Sequence, residues 1–239
     1  MISADVHTRH KSMTDIAADM LRRLIVSREL APGQRIRQAE LASMLGVSTM
    51  PIREALLRLV AEGMVVAESN RAFSVTSTTE DGIRDIYWMH ATLAGELTAR
   101  AWDNKTDALV DELSLYNKNY KAAATRNDFE ALSNANWQFH AALNRAAASP
   151  AIVLQLRNTL HYFPVFGSEV VGWTELAGRW QAGILKEFKS GTREKARQVA
   201  VSNITRAGEL FILSFWAPAD SKAATAAAKQ RARANSKPK

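Results

Sequence analysis

A mostly α-helical chain of two parts is predicted from three features of the 239 residues. Apolar residues recur at helical spacing from residue 14 to residue 216 with few interruptions. Only two short runs, 64–67 and 73–76, read as strands. A polar stretch at 76–80 then separates short helices from long ones, as a linker or a helix cap would.

The elements follow in order. Residues 1–12 read as a polar N-terminal arm. From Thr14, the residues Ile16, Ala17, Met20, Leu21, Leu24 and Ile25 fall on one helical face, with Ser12 or Thr14 as the cap. Ala31-Pro32-Gly33-Gln34 is a turn. A short helix over 38–45 turns Leu41, Ala42 and Leu45 inward and stops at Gly46, a residue suited to the left-handed conformation after a helix. Val47 and Ser48 link to the next helix, which Ser48 or Thr49 caps. Pro51 sits in its first turn, where a missing N–H does no harm. That helix buries Ile52, Ala55, Leu56, Leu59 and Val60 and ends at Gly63. The two strands then form a hairpin with its turn at 68–72. Helix, helix, short turn, helix and hairpin make a winged helix-turn-helix (three helices plus a two-stranded wing), placed at 13–77.

Residues 78–216 read as a second, all-helical domain. Helices are predicted over 83–103, 106–125, 128–147, 151–162, 175–189 and 192–215. Breaks fall at 127–128, 149–150, 163–172 and 190–191. Six antiparallel helices of this length form one bundle. Residues 217–239, rich in Ala, Lys and Arg, read as a basic disordered tail.

Composition narrows the function. With no cysteine, disulfides, thiolate metal sites and cysteine nucleophiles are excluded. No apolar run approaches the roughly 18 residues of a membrane span, and the first residues lack a signal-peptide core, so the chain reads as cytoplasmic with no membrane partner. The net charge of +7 sits mainly in the tail, where Lys222, Lys229, Arg231, Arg233, Lys237 and Lys239 meet no acid. The rest carries 25 cations against 24 acids. A nucleic-acid reading must therefore rest on a motif and not on bulk charge.

Direct readout of DNA uses side chains at the N-terminal end of a helix that enters the major groove. Here that end is Ser48-Thr49-Met50-Pro51-Ile52-Arg53. Arg53 can donate two hydrogen bonds to a guanine edge. Ser48 and Thr49 can bind phosphate or a base, and the backbone N–H groups of the helix start attract phosphate. Arg71 at the wing tip can reach the minor groove or the backbone. On pattern alone, a three-helix core serving protein contacts stays open beside this reading.

The string Leu30-Ala-Pro-Gly-Gln-Arg35-Ile, Glu40-Leu-Ala, Leu45-Gly-Val-Ser48, Pro51-Ile-Arg53-Glu-Ala-Leu, Leu59 and Glu62-Gly63 resembles the DNA-binding domain of the GntR superfamily over 17–75. The resemblance implies DNA contacts from Arg35, Ser48, Thr49, Met50, Arg53, Asn70 and Arg71. Two positions depart from the family pattern. Thr49 and Met50 stand where an arginine and then Thr or Ser are usual, and Ala72 replaces the usual wing glycine. One arginine contact is therefore expected to be missing, which shifts the preferred operator sequence by about 1–3 kcal/mol of discrimination.

The helices after Asp81 resemble the FadR-type C-terminal domain, FCD, in its smaller VanR-like branch. The segments that carry this are Asn136-Trp-Gln-Phe-His140-Ala-Ala-Leu, Ser149-Pro150, Gln181-Ala-Gly-Ile-Leu, Gly191, Ala196 and Asn203-Ile204. Many such domains bind a divalent metal through one Asp and three His. The matching positions here are Asn136, His140, Gln181 and Asn203, so only one imidazole remains. Amides hold transition metals weakly, so the expectation is no cofactor and no tight metal. The same side chains would instead hydrogen-bond an organic effector directly. His90 stands where the family often places an arginine for the ligand acid, and Tyr87, Trp88, Trp137, Tyr162 and Phe163 are close enough in the pattern to line the site. A carboxylate or aromatic effector is the expectation.

The resemblance thus implies a homodimeric repressor that binds double-stranded operator DNA and is released by a small molecule. Two other classes were weighed. An enzyme built on His90 or His140 lacks a paired histidine, nucleophile elbow, phosphate loop or carboxylate pair. Nonspecific nucleic-acid binding through the basic tail would make affinity strongly salt-dependent.

Overall fold

The computed structural model describes residues 12–69, 72–77, 79–162, 170 and 172–215. The N-terminal arm, the wing-tip pair Asn70 and Arg71, the side chain of Tyr162, Phe163 and the basic tail lie outside the described residues. The chain divides into two compact units, one ending at Ser77 and the other beginning at Thr78.

The first unit is a helix-turn-helix with a small sheet. Helix α1 (Met13–Val26) starts on a capping box in which the Ser12 hydroxyl accepts from the Asp15 N–H and the Asp15 carboxylate accepts from the Ser12 N–H. Hydrogen bonds from Ser12 and then from Arg58 hold the Asp15 carboxyl down to about 2. Strand β1 (Arg35–Ile36) precedes α2 (Gln38–Leu45). Gly46, at φ 64 and ψ 32, ends α2 in the left-handed region that an L side chain disfavours. Helix α3 (Thr49–Ala61) follows after the three-residue turn 46–48. Strands β2 (Val65–Ala67) and β3 (Phe73–Val75) complete the wing.

The sheet is three-stranded and antiparallel, in the order β1-β3-β2. The sequence reading had only the hairpin, because a two-residue strand is too short to show a period. Its pairing, Ile36 with Phe73, ties the turn before α2 to the wing. The core of this unit is formed by Leu21, Ile52, Leu56, Leu59, Met64 and Phe73, all fully buried. Two polar links fix α1 on α3. The Thr14 hydroxyl donates to Glu54 at 2.8 Å, and Arg22 donates twice to the Glu62 carboxylate at 2.8 and 2.6 Å. A two-pronged guanidinium–carboxylate pair is directional as well as attractive, so it sets the rotation of α3.

The second unit is the predicted all-α bundle. It contains α4 (Glu80–Asp103), α5 (Asp107–Arg126), α6 (Phe129–Ala146), α7 (Pro150–Thr159) with a 3-10 turn (Leu160–Tyr162), α8 (Trp173–Ser190) and α9 (Arg193–Phe215). Helix α4 begins three residues earlier than the apolar period indicates, because the Thr79 side chain caps it by accepting from the Gly82 N–H. Thr106 and Asp128 cap α5 and α6 in the same way. The core runs through Leu97, Leu113, Phe139, Ala142, Ile184 and Phe188. Among the described residues, no helix is long and apolar enough to cross a membrane.

Helices α4 and α9 pack closely, and two glycines permit it. A Cβ on Gly95 would lie 2.6 Å from Val201, and one on Gly208 would lie 2.8 Å from the Tyr87 ring. Tyr87 is buried against Phe211, with ring centroids 5.7 Å apart, so its ring has little room to retreat. Gly208→Ala is therefore expected to destabilise this unit by roughly 1–3 kcal/mol, despite the better helix propensity of alanine. Chemical denaturation of the variant beside the parent checks it.

Candidate DNA interface and effector site

The start of α3 is built to face an anion. Ser48 occupies its N-cap with φ -71 and ψ 166, but its side chain makes no capping hydrogen bond, so the hydroxyl stays available at the surface. Thr49 is exposed, and Met50 is 64% exposed, which is unusual for so apolar a side chain. No acidic residue stands in the first turn of α3 to neutralise the positive end of the helix.

Five described arginines of this unit bear on the interface. Arg22, Arg37 and Arg58 are bound to Glu62, Glu40 and Asp15. Among the described residues, Arg35 and Arg53 have no carboxylate partner and remain available to phosphate or a base. The Arg53 guanidinium lies over the Phe73 ring, 5.7 Å from its centroid. This contact with β3 holds a long flexible side chain along one direction. Arg35 is exposed on β1, the strand that pairs with β3. The structure thus places Arg35, Ser48, Thr49, Met50 and Arg53 on α3 and the edge of the sheet behind it. Neither Asn70 nor Arg71 lies among the described residues.

The candidate effector site lies inside the bundle. A cavity of about 20 Å³, the room of roughly one water, is lined by His90, Thr98, His140, Asn144, Trp180 and aliphatic side chains of α4, α6, α7 and α9. His140 is half-buried as a residue, but the Trp180 indole covers its ring, with centroids 4.4 Å apart and planes 18° from parallel. Phe139 meets the same indole edge-on at 5.2 Å.

His90 has a defined proton. The Thr159 hydroxyl spends its one hydrogen on the Leu156 carbonyl at 2.6 Å, so its oxygen accepts from His90 Nδ1 at 2.6 Å. Nε2 is then the acceptor nitrogen of a neutral ring. Burial, with the nearby His140 adding to it, holds His90 down at about 3, and burial alone holds His140 at about 4. Both rings are therefore uncharged at neutral pH.

The four family ligand positions do not converge as one ring. Gln181 is fully buried and bridges two asparagines: its Nε2 donates to Asn136 at 3.0 Å, and its Oε1 accepts from Asn117 at 3.2 Å. His140 faces Trp180 instead. Asn203 is not among the cavity's lining residues, and its Oδ1 is buried without a hydrogen-bond partner. Among the described residues, no cluster of three or more His, Asp or Glu side chains is arranged to hold a metal.

Three aromatic candidates lie elsewhere. Trp137 is 69% exposed, because one residue along from Asn136 a helix has turned about 100°. Tyr87 is buried under Gly208 against Phe211, away from the cavity. Trp88 is exposed and borders a separate groove of about 560 Å³ between α4 and α7.

The residues that the sequence reading missed had visible signals. Thr98 lies two turns after His90, and Asn144 one turn after His140, so each shares the face of a histidine already singled out. Trp180 had no such signal. It neighbours Gln181, and only packing decides which of the two turns toward His140.

Comparison with known proteins agrees with both halves. Residues 14–75 match the model of bacterial regulatory proteins of the gntR family, and residues 85–205 match the FCD domain. The chain is 26% identical over 189 residues to the uncharacterised HTH-type transcriptional regulator YdhC of Bacillus subtilis, covering 75% of this chain and 82% of that protein. It is 28% identical over 144 residues to the HTH-type transcriptional regulator McbR of Escherichia coli, covering 60% of this chain and 65% of the relative. The solved structure of E. coli McbR/YncC superposes with a TM-score of 0.61 at 24% identity, over 84% of this chain and 97% of that one, a likeness of fold. Helix-turn-helix, wing and six-helix bundle occur in the order these families require, and the chain belongs to the GntR family of bacterial transcriptional regulators, with an FCD effector-binding domain.

Proposed function

We propose that this ligand-responsive DNA-binding regulator is a homodimeric repressor, released from its operator when a small organic molecule enters the α4–α6–α8–α9 cavity. The observation that carries DNA recognition is the α3 N-terminus: Ser48, Thr49 and Met50 stand exposed, and Arg53 has no carboxylate partner. Arg53 and Arg35 supply charged contacts. Met50, where the family has Thr or Ser, supplies an apolar one suited to a thymine methyl, and Thr49 stands where a relative's arginine would read guanine.

The release step is supported by the size of the cavity. At about 20 Å³ it admits no organic molecule, so an effector binds only to a rearranged bundle. DNA binding belongs to the closed form, and the effector shifts the population toward the open one. His90 connects the cavity to Thr159 on α7. Thr159 also borders the α4–α7 groove, where Trp88 and Met89 expose a large apolar surface. We assign that surface to the second protomer, so that effector binding and dimer geometry share a contact.

The donor set does not fit a tightly held metal. The Gln181 amide already donates to Asn136 and accepts from Asn117, these amides are uncharged, and the one histidine is covered by an indole.

The test is a fluorescence-anisotropy titration of the protein onto DNA from upstream of its own coding sequence, at two salt concentrations and with competitor DNA. The proposal expects binding that survives moderate salt and excess competitor. Binding that vanishes with salt and ignores sequence would mean tail electrostatics and not operator recognition.

A further inference from the structure

Within the effector reading above, on which this inference rests, the cavity has an unusual wall. Trp180 is 5% exposed and wedged between the edge of Phe139 and the face of His140. Its indole N–H is nevertheless buried without any hydrogen-bond partner. Leaving a buried donor unsatisfied is costly, and structures rarely keep one without a use. A side chain chosen only to fill that space could have been Phe or Leu, with no polar atom to orphan.

The rest of the wall has a consistent chemistry. His90, Thr98, His140 and Asn144 are its polar members, and the others are aliphatic. Among the described residues, no Arg, Lys, Asp or Glu lines it. An anion entering here would lose its water and find no counter-charge, which costs far more than its hydrogen bonds return. A flat neutral ring loses little on entry and regains a stacking face.

We propose that Trp180 is the resident occupant of the effector site, and that the effector is an uncharged aromatic or heteroaromatic molecule that displaces the indole and stacks on His140 in its place. Thr98 and Asn144 are the groups that orient it. A carboxylate effector, one of the two expectations from the sequence, is disfavoured by the absence of a cation in the wall.

Chemical rescue tests this directly. Trp180→Ala removes the indole and leaves a void lined by His140 and Phe139. The probe is 3-methylindole, the analogue of the whole tryptophan side chain, with indole-3-carboxylate as its charged counterpart. Thermal unfolding of the full-length variant should rise by roughly 3 °C or more with saturating 3-methylindole, and by less than about 1 °C with the carboxylate. The parent protein, already filled, should respond much less than the variant to 3-methylindole. Trp180→Phe keeps a ring on His140 and covers the case in which the alanine variant does not fold; it should respond to the neutral probe in the same order, with a smaller shift.

No response of either folded variant to 3-methylindole, or a larger response to the carboxylate, overturns the proposal. Adding operator DNA separates it from the reading beneath. A probe that stabilises the variant but leaves its DNA affinity unchanged upholds the ring site and defeats its role as the effector switch.

Discussion

Arg53→Ala is expected to weaken operator binding by roughly 5- to 150-fold per half-site, the range for losing one good two-pronged base contact. The residue is well suited to so large an effect. It lies on the first turns of α3, has no carboxylate partner among the described residues, and is aligned by the Phe73 ring of β3. Arg58, on the same helix, is the control. It is bound to Asp15 at 2.6 Å, so Arg58→Ala should change DNA affinity far less while slightly loosening α1 from α3. Affinity measured for both variants on operator and on random duplex separates readout from bulk charge. Loss on the operator alone marks a base contact; equal loss on both marks a phosphate contact.

The second large effect is acid sensitivity of the sensor unit. His90 and His140 are held neutral, at about 3 and about 4, whereas in the unfolded chain they take up protons near the ordinary 6.5. The unfolded state therefore binds more protons between these limits, and stability rises with pH. The contribution is complete above about 6.5 and is lost progressively as pH falls toward the folded-state values. At pH 5 the loss is about 2 kcal/mol for each ring, so about 4 kcal/mol for the pair. That is a large fraction of the stability of a domain this size. Denaturant unfolding followed from pH 8 to pH 5 checks it. Replacing either histidine by glutamine should remove that ring's share of the slope. A flat profile between pH 7 and pH 5 would mean that the cavity admits water and the rings are not held neutral.

Much of this fold was written in local signals. Gly46 and Gly63 mark the ends of α2 and α3 because both adopt positive φ, and Thr106 and Asp128 mark helix starts because their side chains cap them. Strand β1 was not legible, since two residues carry no period and its pairing with β3 is a long-range contact. Reading the DNA interface was simpler than reading the effector site for a physical reason. The former lies on consecutive residues of one helix. The latter draws single residues from several helices, and which way each points depends on packing. Asn136 of α6 and Gln181 of α8 find each other, while Trp137, one position along, faces outward. Trp180 was invisible because nothing local distinguishes it from Gln181 as the residue that meets His140. The family pattern named Asn136 and Gln181, which hydrogen-bond, but not the indole that covers the histidine.

The central claim is that occupancy of the α4–α6–α8–α9 site and affinity for DNA are one coupled equilibrium. The most direct measurement takes a compound that raises the unfolding temperature of the protein and determines its dissociation constant with and without saturating operator. The DNA dissociation constant is then measured with and without saturating compound. Linkage requires the two ratios to be equal. The expected ratio is roughly 5 to 150, with the compound weakening DNA binding and DNA weakening the compound by the same factor. A compound that binds in the cavity, loses its affinity when His140 is replaced, and yet leaves DNA affinity unchanged would contradict it.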